Sequence, residues 1–115
     1  MNYNWRGLRS SDARELRPEK CVCIVLKAET KPGLDDAFEA MLADFAHKVR
    51  SDEPGCTSYS ATRALGSPTH FAVHARFISQ SALEAHAETE HMNASLPRLM
   101  ALLATQVSLE IFVEI

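Results

Sequence analysis

The spacing of apolar residues along the chain predicts a strand, a helix and two further strands in its first two thirds. Residues 21–28, CVCIVLKA, form a continuous apolar run that is typical of a central strand buried on both faces. From Leu34 to Val49, apolar residues recur at three- and four-residue steps, which predicts an amphipathic helix ending in the segment 52–55. The polar stretch 56–64 is typical of an edge strand, and 70–78 alternates as a further strand.

The last third of the chain predicts a second helical region and a final strand. Ser81 and Glu84 match the Ser-x-x-Glu capping box, so we expect a helix to begin near residue 82. Apolar positions continue to Leu103, and Pro97 suits a first helical turn. Residues 107–115, VSLEIFVEI, alternate between apolar and polar side chains and predict a strand.

The order strand, helix, strand, strand, helix, strand predicts an α+β fold. It indicates a ferredoxin-like βαββαβ sandwich with an antiparallel four-stranded sheet, in which the first and third strands are central. Two helices cover one face of such a sheet, and we expect the other face to be too apolar to remain in water. A homodimer packed sheet against sheet is therefore expected. Residues 1–20 are interpreted as an N-terminal extension, in which Trp5 either docks or is disordered, and residues 21–115 as the domain.

Composition limits the possible classes of protein. The 115 residues suffice for one domain with one core. A net charge of −3 argues against a nucleic-acid-binding protein. The sequence contains no apolar run long enough to span a bilayer and no visible signal peptide, so no membrane association is expected. Three cysteines, an odd number, favour a reducing, cytoplasmic location.

Two histidines on the second predicted helix are the first candidates for chemistry. On an unbroken helix, His86 and His91 would point about 140° apart. They converge only if the helix breaks near Thr89, where a threonine N-cap would restart it. No carboxylate or cysteine lies at a zinc-like spacing, so no metal site is predicted. The alternative for His86 is a structural histidine bonded to a backbone carbonyl.

A second pair of candidates lies on the strand 70–78. His74 and Arg76 share one face of that strand. A buried arginine needs a partner, so Arg76 forms a salt bridge in one interpretation and holds an anion in the other. Tyr59 suits either a core position or the site, and the methionines at helical spacing suit a core or a pocket lining.

These motifs resemble the antibiotic biosynthesis monooxygenase family, which includes quinol monooxygenases. The resemblance covers residues 21–115 and depends on Lys-Pro-Gly at 31–33, Glu-Pro-Gly-Cys at 53–56, Ala-Arg-Phe at 75–77 and the segment from Ala82 to His91. It implies a dimeric α/β barrel with a pocket between sheet and helices. The chain departs from the family at Ala75, where many relatives carry glutamate. Haem degradation is not expected, because Phe77 replaces that branch's tryptophan and the first strand has no asparagine.

The resemblance implies a monooxygenase that needs no cofactor and oxidises a phenolic or quinol-type small molecule with O2. In this interpretation His86 or His91 is the base, and His74 and Arg76 polarise the oxygen. Residues expected to contact substrate are Tyr59, Phe77 and Met92. Two alternatives remain: an isomerase-like enzyme acting on a small polar metabolite, whose anion Arg76 would hold, and a non-catalytic binding or interaction domain.

Overall fold

The computed structural model describes residues 20–115 of the chain. These residues fold into an antiparallel four-stranded sheet with three helices. The elements in chain order are β1 (Val22–Glu29), α1 (Asp35–Asp52), β2 (Cys56–Arg63), β3 (His70–Phe77), α2 (Gln80–Ala87), α3 (Glu90–Met100) and β4 (Ser108–Val113). None of the helices within residues 20–115 has the length and apolar character needed to cross a membrane. The antiparallel sheet and the three helices confirm the predicted α+β class. Trp5 and all but the last residue of the predicted extension lie outside the described residues.

The strands lie in the order β2-β3-β1-β4. The first and third strands are thus central and β2 is an edge strand, as the sequence predicts. β1 pairs antiparallel with both β3 and β4, which leaves β4 at the opposite edge from β2. The helices that carry the histidines follow central strand β3 in the chain, and α2 begins three residues after β3 ends.

Alternate residues of the central strands face the helices. On β1, Val22 and Ile24 are each 2 % exposed, and their antiparallel partners on β3, Phe77 and Ala75, are also buried. The intervening β1 residue, Cys23, is only half-buried. Within this single chain, the helices bury β1 on one face, and burial of its other face depends on the predicted homodimer.

The face of the sheet that points away from the helices, here called the open face, is mostly polar. Cross-strand register assigns to it Ser58, Ser60, Thr62, Ala72, His74, Arg76, Cys23, Val25, Lys27, Ser108, Glu110 and Phe112. The expectation of an apolar face is wrong, because the apolar residues of β4 mostly alternate onto the helix side. The homodimer remains a prediction.

The second helical region begins earlier than predicted and is divided in two. Ser79 is the N-cap of α2, and its Oγ accepts a hydrogen bond from the Ala82 amide at 3.1 Å. The capping box expected at Ser81 is therefore wrong, since Ser79 already occupies that role in extended backbone. Pro97 lies inside α3 and not in a first turn, which is a second correction. The helix restarts at Thr89, upstream of the proline.

Candidate functional site

The break between α2 and α3 brings His86 and His91 onto one carboxylate. Thr89 is the N-cap of α3: its Oγ1 accepts from the Met92 amide at 3.2 Å and donates to the His86 carbonyl at 2.9 Å. His86 Nδ1 lies 2.9 Å from Glu53 Oε1, and His91 Nε2 lies 2.5 Å from Glu53 Oε2. The condition for convergence, a helix break at a Thr89 cap, is therefore met, and a third residue lies between the two histidines.

Glu53 reaches this position because it follows the last residue of α1, in a loop that packs closely against α2. It is the C-cap residue of α1, and its amide donates to the Val49 carbonyl at 3.1 Å. Two residues later, Gly55 lies so close to α2 that a Cβ there would be 2.8 Å from Ala82 Cβ. The Gly55 carbonyl accepts from the Ile78 amide at 2.9 Å. A glycine at this position therefore allows the loop that carries Glu53 to lie against the histidine helix.

Burial makes the contacts among these three side chains strong. The exposed fractions are 1 % for His86, 9 % for Glu53 and 11 % for His91. A carboxylate removed from water is costly unless it is hydrogen-bonded. With Glu53 ionised, it only accepts, so the hydrogens lie on His86 Nδ1 and on His91 Nε2. Glu53 therefore selects the tautomer of each ring, and we call the three residues the Glu-His-His cluster.

The titration of the groups around His86 follows from burial. Burial lowers the pKa of His86 below its ordinary value; the Glu53 carboxylate partly opposes this shift, and His91 adds to it. Burial, with Glu53 nearby, raises the pKa of Cys56 to about 11, and burial raises the pKa of Tyr59 strongly. At neutral pH, His86 is thus a neutral imidazole, the state that a base requires, and the phenol of Tyr59 beside it and the thiol of Cys56 near Glu53 are protonated.

One wall of an internal cavity is formed by His86. The cavity, of about 50 Å³, lies between the sheet and the helices and is lined almost entirely by apolar side chains. Among the described residues that line it, only Tyr59 and His86 have polar side-chain atoms, apart from methionine sulfur. Ligand pockets for small molecules usually measure about 300–1,000 Å³. A ring-sized ligand therefore needs movement of side chains such as Leu96 and Met100, which are only partly buried.

The residues predicted to contact substrate surround His86. Tyr59 and Met92 line the cavity, and the ring of Phe77 lies 5.2 Å from the imidazole of His86. Phe45, which the sequence did not single out, has ring centroids 6.0 Å from His86 and 5.7 Å from His91. Aromatic rings thus enclose the Glu-His-His cluster on its apolar side.

His74 and Arg76 lie on the open face, on the opposite side of the sheet from the cavity. Arg76 pairs with Glu114 at 2.6 Å, and its Nη1 lies 3.9 Å from Cys23 Sγ. Within residues 20–115, the four predicted catalytic residues therefore form two separate groups. The salt-bridge interpretation of Arg76 has its partner in Glu114.

Glu53 is the functional candidate that sequence reasoning missed. It lies 33 residues before His86 and 38 before His91, too far for any local spacing rule. The Glu-Pro-Gly-Cys segment at 53–56 ends the first predicted helix and supports the family resemblance, but nothing in its local sequence assigns Glu53 a role in the site. The ligand atoms of the three residues lie within 4.8 Å of one another and are of types that divalent cations use. Each histidine also hydrogen-bonds directly to Glu53 at the distances above.

Comparisons with known proteins agree on the fold. The model of the antibiotic biosynthesis monooxygenase family matches residues 21–97. A protein from Caulobacter crescentus CB15, provisionally described as a monooxygenase of this kind, has a TM-score of 0.81 and 24 % identity, covering 89 % of this chain and 97 % of its own. Proteins from Mycobacterium tuberculosis (TM-score 0.76, 21 % identity, 83 % and 95 % covered) and Methanosarcina mazei Go1 (0.76, 19 %, 82 % and 92 %) are also similar. No curated protein matches the chain.

Proposed function

Since the chain belongs to the antibiotic biosynthesis monooxygenase family, we propose that it oxidises a small phenolic or quinol-type molecule with O2. The observation that carries this proposal is the buried, neutral His86 in the wall of an apolar cavity. The proposal includes no organic cofactor, and O2 is the co-substrate. Tyr59, Met92 and Phe77 are proposed to contact the substrate.

The chemistry needs little from the protein. A hydroquinone and one O2 give a hydroxylated quinone and one water, so the substrate supplies every electron and no external reductant is required. Ground-state O2 reacts slowly with closed-shell molecules, whereas an electron-rich phenolate can transfer one electron to it. A base that removes the hydroxyl proton inside a dry cavity therefore starts the reaction. We propose a histidine of the Glu-His-His cluster as this base.

The lining of the cavity favours this substrate class over a polar or phosphorylated metabolite. An anionic group removed from water needs a cation or several donors. The described lining has no lysine or arginine, and Arg76 lies on the open face, paired with Glu114. An isomerase-like reaction on an anionic metabolite is therefore the weaker alternative. A binding domain without catalysis would use the same cavity. Measuring turnover of the substrate distinguishes such a domain from the proposed enzyme.

Oxygen consumption with a panel of hydroquinones tests the proposal. We expect His86→Gln to lower the rate on the order of 10²–10⁴-fold, the usual cost of removing a general base. His47→Gln is the matched control, because His47 is exposed on α1 and should leave the rate unchanged. Absence of hydroquinone-dependent O2 uptake, or full activity in His86→Gln, would reject this function.

A further inference from the structure

Only one member of the Glu-His-His cluster lines the cavity. His86 is a lining residue, whereas Glu53 and His91 lie outside the lining. Both carboxylate oxygens of Glu53 are within hydrogen-bonding distance of His86 Nδ1, at 2.9 and 3.0 Å. His91 Nε2 contacts the same carboxylate at Oε2. Among the three residues, direct contact with a molecule in the cavity is therefore made by His86.

We propose that Glu53 is a positioning residue: it fixes the Nδ1–H tautomer of His86, makes Nε2 the nitrogen that exchanges a proton with the substrate, and stabilises the imidazolium that results. This inference rests on the proposed function and assigns the base to His86 in preference to His91. His91 acts as a second donor that holds the carboxylate in place.

The proton step balances within this arrangement. The substrate hydroxyl gives its proton to His86 Nε2, and the Nδ1–H bond stays directed at Glu53, so the products are a phenolate and an imidazolium. The imidazolium returns the proton when water forms from O2. During this proton transfer Nδ1 stays bonded to Glu53 and Nε2 faces the substrate oxygen, so the buried ring does not need to reorient.

The charge count explains why a carboxylate is needed here. An ionised Glu53 and a neutral His86 together carry one negative charge, and proton uptake by His86 brings the charge of this pair to zero. Tyr59 beside the ring and Cys56 near Glu53 stay protonated and add no charge. Without Glu53, the same step would create an isolated buried cation, which is costly.

Glu53→Gln tests this role because glutamine has the same shape but no charge. We expect kcat to fall at least tenfold with little change in KM, and the acid limb of the pH–rate profile to move to lower pH, since the imidazolium loses its counter-charge. Glu53→Asp keeps the charge and should restore the position of the acid limb more fully than the rate. Glu90→Gln, an exposed carboxylate in the first turn of α3, is the control and should change neither.

Nitrogen-15 NMR of the histidines gives a readout that does not depend on turnover. We expect the wild-type His86 ring to show protonated Nδ1 and unprotonated Nε2 near neutral pH, and Glu53→Gln to lower its pKa without unfolding the protein. These spectra decide what Glu53 does to His86, whereas O2 consumption decides the proposed function. An Nε2–H tautomer in wild type, or an unchanged His86 titration in folded Glu53→Gln, would overturn the inference. So would a stoichiometric divalent metal whose removal by EDTA changes both histidine signals.

Discussion

At the scale of single residues, the cluster shows what local sequence rules can and cannot detect. The alternation of β3 already put Phe71, Val73, Ala75 and Phe77 on one strand face and His74 with Arg76 on the other. Because helices cover the apolar face, His74 and Arg76 had to point away from the helical histidines. That conclusion was available from the sequence. The contact of Glu53 with the two histidines could not be predicted from the sequence, since it depends on how the loop after α1 lies against α2.

Burial of His86 also predicts a dependence of stability on pH. The folded-state pKa is lowered by burial, whereas an unfolded histidine titrates near 6.5. Between those values the unfolded chain binds more protons, so the free energy of unfolding decreases as the pH falls below about 6.5. Urea unfolding from pH 7.5 to 5 should show a smaller decrease for His86→Gln than for wild type, with His47→Gln behaving as wild type. Equal slopes in all three proteins would contradict this prediction.

At the scale of elements, the caps determine where the site residues lie. The strand order and the central positions of β1 and β3 followed from the pattern of apolar residues. The division of the second helical region depended on one threonine, Thr89, and the start of α2 depended on Ser79. Ser81, two residues after Ser79, offers an alternative cap, so the sequence located α2 more accurately than its first residue.

Gly55 tests how tightly the Glu53 loop must lie against α2. Gly55→Ala would place a Cβ 2.8 Å from Ala82 Cβ, a contact that backbone must move to relieve. We expect a loss of about 1–3 kcal/mol in the free energy of unfolding, the usual cost of overpacking. Gly66→Ala is the control, because a Cβ at Gly66 would meet nothing within 4 Å. Urea denaturation measures both, and equal stability of the two variants would show that the loop shifts freely.

At the scale of the whole molecule, the open face remains to be accounted for. It is more polar than the sequence led us to expect, but its apolar members are concentrated along β1 and β4. Phe112 is 48 % exposed, next to half-buried Cys23 on the neighbouring strand. A large aromatic side chain exposed on a sheet face is a common anchor of protein–protein interfaces. A second copy of the chain, packed sheet against sheet, would cover it.

Sedimentation equilibrium tests this homodimer. We expect a mass near twice 12.7 kDa at micromolar concentration. Phe112→Asp should raise the monomer fraction, because an unpaired charge would be buried at the interface. Leu65→Asp is the matched control: Leu65 is fully exposed in the turn between β2 and β3, away from the open face, so the mass should stay that of wild type. A monomeric wild type, or equal masses for the two variants, would show that the open face does not pair. Dimerisation would also bury His74 and Arg76, so the Arg76–Glu114 ion pair would then lie at the subunit interface.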